Sequence, residues 1–524
     1  MKNERDMGFR PRVIGFACLY LFLGAAGFFL AFCNLDGRLF WADEAENAVL
    51  AKNIVKFGVP KVDDGLNHIS LHGDRFDERD GVWTWSPWLP EYVTAASFVV
   101  FGETTWDGRA PFAFIGWLAV AVLGVAAWKI YRSHRVTLAA MLLLGTSEVF
   151  LLHIRQCRYY SITVFAEILL FCGIYKMLTK SKMGGGCILA ALTLQFYCNY
   201  TIAAANIPLL LVLAWNLFRE EKSLVLPVMV SLGILFVLTA PWLLYSEVWR
   251  QGAAEPHDPW FKTLWFYLVQ FHFYFLPWCV VLLPVYGWLS KRFSNSPVCQ
   301  VSAGDPDVRF KFESYLVLLP FLYTPVLLIM PGGYLRYLLP ILPPVCLLVA
   351  VWLFRYVRWT VVAVGLLVVQ CVSNVFSVAT NPFHRQIPLR LPLVEFVFGM
   401  LSPYQDRFSD VLDYFQKHAK PGETVVSANP EFPLMFYTRL KIVNARLSPS
   451  PLKPLPEWIL PVSLSDVFFF RPARLPESLE RYYETIDLTV HDSPRVDEMP
   501  EPNFYQDHTT ATMTQFVIYR RKGG

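Results

Sequence analysis

The chain is short of charge. Only 17% of its 524 residues are Asp, Glu, Lys or Arg, against about 25% in an ordinary soluble domain. That shortage argues against a fold bathed in water on every side. No strong charge imbalance is present either: the net charge is +4, too small to mark a nucleic-acid partner. The ten cysteines are scattered and never form C-x-x-C. They read as buried single thiols rather than as a disulfide framework or a metal centre. The chain also has no Walker-type loop, no dinucleotide fingerprint and no nucleophile elbow. Internal repeats and low-complexity tracts are missing too.

What fills the chain instead is apolar. Hydrophobic residues make up 55% and aromatics 16%, and the mean hydropathy is positive. Apolar runs of about 20 residues identify a polytopic α-helical membrane protein. About eleven spans are expected, near 13–33, 110–129, 135–152, 160–178, 185–198, 201–218, 223–245, 263–289, 314–330, 337–354 and 359–379. The first follows Arg5, Arg10 and Arg12 but is long for a signal peptide and has no small-residue cleavage site, so it reads as an uncleaved span. The apolar stretch 88–101 is short and reads as re-entrant or interfacial.

Basic residues set the expected orientation. Lys129, Arg132 and Arg135, then Lys176, Lys180 and Lys182, and later Arg355 and Arg358 fall in loops on one side, which the positive-inside rule places in the cytoplasm. The long loop 34–109 and the tail then face the periplasm or exterior. This divides the chain into a membrane domain, 1–380, and an extracytoplasmic domain, 381–524. The tail carries "FSDVLDYFQKHAKPGETVVSA", an amphipathic helix (Phe408, Val411, Leu412, Phe415), a Pro-Gly turn and a strand. "RLKIVNA", "DVFFFRP" and "FVIYRR" are further strands, so a small α/β domain of roughly 120 residues is expected.

The polar residues that remain are concentrated. "WADEAENAVLAKNIVKFG" puts Asp43, Glu44 and Glu46 just after the first span. Asp43 as N-cap with Glu46 three residues later has the spacing of a capping box, with the helix ended by Gly58. Capping accounts for Asp43 and Glu46. It leaves Glu44 unexplained and does not exclude a second role for Asp43. In "LLHIRQCRYYSITVFAE", Arg155 and Arg158 stand three apart, on one face if helical, with Tyr159 and Tyr160 following. Arginines in an outer loop run against the positive-inside bias. They suit either lipid headgroups or a bound phosphate, and the phosphate is the preferred reading. In "PGGYLRYLLPILPP", Arg336 enters a span between Tyr334 and Tyr337, as a snorkelling residue in an aromatic belt or as a third cation of the same site. Trp83, Trp85 and Trp88 cluster nearby in sequence, as belt anchors or as a platform for a sugar ring. Glu148 and Glu167 fall inside spans, where each needs a partner. His68 and His72 have a helical metal-pair spacing but lie in a loop with no clear third ligand.

These stretches together resemble the integral-membrane glycosyltransferases of the C superfamily, in the branch of protein O-mannosyltransferases and lipid A aminoarabinose transferases. The family's Asp-Glu pair in the first outer loop is matched by Asp43-Glu44, its arginine-rich second loop by "RQCRYY", and its late span motif by "RYLLPILPP". A phosphate-contacting lysine in a "KPPL"-like stretch has no counterpart, because that region reads "WTWSPWLP". Arg75 or Arg79 then replaces it, or the donor sits differently.

The resemblance implies a sugar donor linked to a polyprenyl phosphate and an acceptor hydroxyl on a lipid, glycan or protein. Asp43 would be the general base, with Glu44 orienting the acceptor or tuning Asp43. Arg155, Arg158 and Arg336 would hold the donor phosphate. Tyr159, Tyr160, Tyr334, Tyr337 and Trp85 are the candidates for touching substrate. No cofactor is expected, with a divalent metal left as an alternative. The implied location is a bacterial inner membrane, with the site facing the periplasm. A multi-span transporter and a glycan ligase or phospho-group transferase are the rival functions.

Overall fold

A computed structural model describes residues 9–71, 77–253, 259–286, 305–329, 333–383, 388–403, 405–427, 431–444, 454–460, 475, 477–491 and 513–523. Among the described residues, six helices are long and apolar enough to cross a membrane: Ile14–Phe32, Thr105–Tyr131, Tyr160–Leu178, Tyr200–Glu220, Lys222–Ser246 and Leu335–Tyr356. Two bent pairs raise the number to eight if each is one span. His134–Gly145 and Glu148–Ile154 meet at 64°, and Trp260–Phe275 and Trp278–Tyr286 at 84°.

Among the described residues the count is thus six to eight rather than the eleven expected. The run 185–198 becomes a helix of 14 residues, Met183–Phe196. The run 359–379 becomes a helix of 13 residues, Thr360–Val372. At a rise of about 1.5 Å per residue, neither reaches across roughly 30 Å of hydrocarbon. Apolar length in sequence overcounts spans wherever a cap, a proline or a polar turn stops the helix early. Leu89–Phe101 is likewise short. It buries Glu91, Thr94, Ala95 and Phe98 and exposes Val99, Val100 and Phe101, as suits a segment lying along an interface.

The loop 34–109 is structured. Its main element is the helix Ala42–Phe57, closed by Gly58 in the left-handed region at φ 80°, the conformation glycine adopts most readily at a helix end. A two-residue hairpin follows, β1 (Glu78–Arg79) with β2 (Val82–Trp83). Asp80 and Gly81 at its tip both have positive φ, as a type I′ turn requires.

Among the described residues the tail forms a five-stranded mixed sheet. Its strands are β3 (Thr424–Ser427), β4 (Lys441–Asn444), β5 (Trp458–Ile459), β6 (Tyr483–His491) and β7 (Met513–Arg521), in the order β4-β3-β5-β7-β6. β3 is parallel to β4 and β5, while β7 is antiparallel to β5 and β6. The helix Arg407–His418 buries the four apolar residues read from the sequence, and Phe415 meets Trp458 edge-on at 5.5 Å. The "DVFFFRP" strand expectation lies outside the described residues.

Candidate active site

The site begins with how the loop helix starts. Trp41, not Asp43, is the N-cap, with extended backbone, and Ala42 is the first helical residue. Glu44 then occupies the third helical position, and its Oε2 accepts the Trp41 N–H at 3.5 Å. The reading of Asp43 as cap and Glu46 as its partner is thus corrected by two residues: Trp41 is the cap and Glu44 its partner. Asp43 and Glu44 lie in the first turn, where carboxylates are favoured by the helix dipole.

Glu44 is held from the membrane domain. Thr104 caps the helix Thr105–Tyr131 through Asp107, which places Arg109 one turn in. Arg109 grips Glu44 with two bonds, Nε to Oε1 at 2.8 Å and Nη2 to Oε2 at 2.6 Å. Its other N–H groups donate to the carbonyls of Leu35, Arg38 and Leu39. Glu44 Oε1 also accepts the Cys157 N–H at 2.7 Å. Gly108 permits this closeness, since a Cβ there would lie 2.6 Å from the Phe40 ring.

Asp43 has a different environment. Its Oδ2 lies 3.5 Å from Arg158 Nη2 and 3.2 Å from Arg336 Nη1. Its side chain is 25% exposed, against 1% for Glu44. Arg158 also donates to the Asp43 carbonyl at 3.0 Å and stands 3.5 Å from Glu46 Oε1. Burial pushes the Glu46 carboxyl up to about 8, with Arg158 opposing and Asp43, Glu91 and Asp77 reinforcing. The Tyr160 hydroxyl is buried beside Arg158 and Arg336.

Aromatic rings wall the two arginines. Arg336 stacks 4.2 Å from the Tyr334 centroid and 6.0 Å from Trp41, within cation–π range. Arg158 lies 5.7 Å from Tyr159, which packs on Tyr160 at 4.6 Å. Tyr337 meets Tyr334 edge-on at 5.6 Å. Asp43, Arg158, Arg336 and these four tyrosines therefore come together. Trp85 is half-buried in the loop, its backbone N–H donating to the Asp77 carbonyl at 3.3 Å.

Arg155 does not join them. Helix Glu148–Ile154 ends just before it and the next begins at Tyr160, so the three-residue spacing puts no common face between the arginines. Its guanidinium donates to the carbonyls of Leu30 (2.9 Å), Ala31 (3.3 Å) and Asn34 (3.1 Å). Arg155 ties the first helix to the site's floor. Arg79 is also engaged, donating to the Tyr245 carbonyl at 2.7 Å, while Arg75 and His72 lie outside the described residues. Glu148 sits 3.5 Å from Arg390, and Glu167 accepts from Gln195 at 2.7 Å and Asn206 at 2.9 Å. Among the described residues no group of three His, Cys, Asp or Glu is arranged to hold a metal.

Sequence pattern alone does not single out Arg109. Its one legible signal is a charged residue placed at the mouth of an apolar span, which demands a partner.

No family model matches the chain, and no curated protein matches it. Among solved structures it is similar to ArnT from Cupriavidus metallidurans bound to undecaprenyl phosphate, at 15% identity and TM-score 0.55, covering 82% of this chain and 85% of that one. The apo state of the same ArnT gives 14% identity, TM-score 0.54 and coverage of 82% and 86%. An oligosaccharyltransferase from Archaeoglobus fulgidus is more distant, at 11% identity, TM-score 0.43 and coverage of 81% and 62%. The chain has the fold of ArnT, the architecture that the motif resemblance implies.

Proposed function

We propose that the protein is a glycosyltransferase that moves a sugar from a polyprenyl-phosphate donor to an acceptor hydroxyl on a lipid, glycan or protein. The observation that carries this reading is the position of Asp43. It is a partly exposed carboxylate between two arginines that are otherwise walled in by tyrosines. The shared fold with an ArnT that holds undecaprenyl phosphate supports the class of donor.

The chemistry follows from the charges. The acceptor oxygen attacks the anomeric carbon as Asp43 takes the hydroxyl proton, a general-base role. The bond from that carbon to the phosphate oxygen breaks, and the electron pair leaves with the phosphate. A single displacement inverts the anomeric centre. The phosphate gains negative charge as it leaves, and Arg158 and Arg336 are the groups placed to stabilise it. Without substrate, Asp43 offsets only part of the charge of the two arginines. A donor phosphate competes for them and releases Asp43 towards the acceptor, which favours donor binding first. Glu44 is a positioning residue in this reading, because Arg109 and the Cys157 N–H already occupy its oxygens. Arg155 holds the first helix rather than the donor. The site and the tail face the periplasm of a bacterial inner membrane.

The test is purified, reconstituted protein given a panel of polyprenyl phosphate sugars, with release of free polyprenyl phosphate as the readout. Turnover with at least one donor is expected. Specific transport of a solute with no turnover of any donor would overturn the proposal.

A further inference from the structure

The tail reaches into the start of the loop helix through one side chain. Tyr437 ends the helix Glu431–Tyr437. Its hydroxyl accepts the Phe40 N–H at 2.7 Å and pairs with the Thr105 hydroxyl at 2.7 Å. Phe40 immediately precedes the Trp41 cap. Thr105 is one turn before Arg109 on the same helix, so both face the segment that carries Asp43 and Glu44.

Neighbouring contacts seat the same tail helix. Phe436 meets Phe40 edge-on at 5.0 Å. Lys52, from the loop helix, lies 3.9 Å from the Phe436 centroid and donates to its carbonyl at 3.2 Å. Beyond the helix, Asn67 of the loop donates to the Leu440 carbonyl at 3.2 Å and accepts the Ile442 N–H at 2.6 Å. It pairs with the β4 edge as a strand would.

The geometry points to Tyr437 as a positioning residue through which the C-terminal domain fixes Asp43. The inference rests on the transferase reading of the site. Arg109 anchors residues 35–44 from the membrane side, by the three carbonyls and Glu44. Tyr437 anchors Phe40 from the C-terminal domain and joins it to the Arg109 helix at Thr105. With both in place, the first turn of the loop helix has one position relative to Arg158 and Arg336. Without the hydroxyl, the buried Phe40 N–H loses its acceptor and the turn is free to shift. A misplacement of about 1 Å at a reacting group lowers turnover up to roughly 100-fold.

The experiment compares Tyr437→Phe with the wild-type full chain in two measurements. One is steady-state transfer from a polyprenyl phosphate sugar. A fall in kcat of roughly tenfold is expected, with donor KM changed by less than about threefold, since the arginines stay in place. The other is amide hydrogen exchange over residues 39–47, expected to speed up in the variant. Trp458→Phe, which loosens the tail sheet at the Trp458–Glu423 bond without touching the loop helix, is the control. It should leave kcat and the exchange of 39–47 unchanged. Unaltered exchange and kcat in Tyr437→Phe, or an equal loss in Trp458→Phe, would overturn the inference. If the wild type turns over no donor, the transferase reading fails separately. Unaltered exchange would then still reject Tyr437 as the anchor.

Discussion

Two acid–arginine pairs flank one helix, and they differ in kind. At one end of Leu335–Tyr356, Arg336 touches Asp43 through a single nitrogen at 3.2 Å, and Asp43 is shared with Arg158. At the other end, Arg355 grips Glu313 with two nitrogens, one at 2.6 Å, with Tyr131 adding a hydroxyl at 3.4 Å. The second pair is saturated, as is Glu44 with Arg109. A bidentate guanidinium–carboxylate pair fixes geometry and leaves little capacity for another ligand. The first is under-committed, partly exposed, and shared among three groups. Saturation marks structure and spare capacity marks chemistry, and substitutions can break the contrast at either end.

The largest effect should come from Asp43→Asn. The amide keeps the size and a hydrogen-bonding oxygen but takes no proton. A loss in kcat of about 10²–10⁴-fold is expected, with a fall in thermal midpoint smaller than that of Glu44→Gln, because Asp43 is partly exposed and makes no bidentate pair. Transfer assays and melting curves on the same preparation check both halves. Substantial activity in this variant would return Asp43 to a helix-start role.

Glu44→Gln should act on the opposite axis. It leaves Arg109 buried without a counter-charge, a loss of about 3–5 kcal/mol for a buried pair cut on one side. The midpoint should drop sharply, while the molecules that remain folded keep a normal donor KM. If instead Glu44→Gln kept its stability and lost turnover, Glu44 would belong with Asp43 in the chemistry.

Arg336 and Arg155 sharpen the comparison within one residue type. Arg336→Gln should lower kcat/KM for the donor by roughly 10²-fold, the scale of losing one charged donor to a developing anion. Arg155→Gln should change donor KM by less than about twofold and lower the thermal midpoint, because three carbonyls lose their donor. Equal effects on donor KM would place Arg155 back with the phosphate.

The split between these arginines shows where sequence reading stops. Three-residue spacing implies a shared face only while the helix continues, and the helix ends at Ile154. The Asp43–Glu46 spacing fits a capping box, yet the helix starts two residues earlier, at the Trp41 cap, with Glu44 held by Arg109, 65 positions along. Arg109 is visible in the sequence only as a charge at the mouth of a span, and nothing local names Glu44 as its partner. The tail is the reverse case. "FSDVLDYFQKHAKPGETVVSA" carries its own period, turn and strand, and folds as read. The sheet order β4-β3-β5-β7-β6, set by non-local pairing, was not legible. Membrane spans fall between: apolar length found each segment, but Ser147, Pro277 and Asn206 decided where the helices break or bend.

The smallest effect belongs to Glu46, which stands between the two kinds of pair. It shares Arg158 with Asp43 at 3.5 Å, yet its side chain is only 4% exposed. Burial raises its carboxyl from 4.5 to about 8. In the folded protein it then holds a proton at neutral pH, while the unfolded chain has already released it. The folded state binds more protons, so stability falls as pH rises. The contribution is full below about 4.5, declines between there and about 8, and levels off above. Melting curves from pH 5 to 8 should show the midpoint drifting down in the wild type. Glu46→Gln, which has no proton to lose, should flatten that drift and leave donor KM close to normal at pH 6, where Glu46 is itself neutral. A drift of the same slope in both proteins would mean that Glu46 is ionised throughout, a third carboxylate held by Arg158.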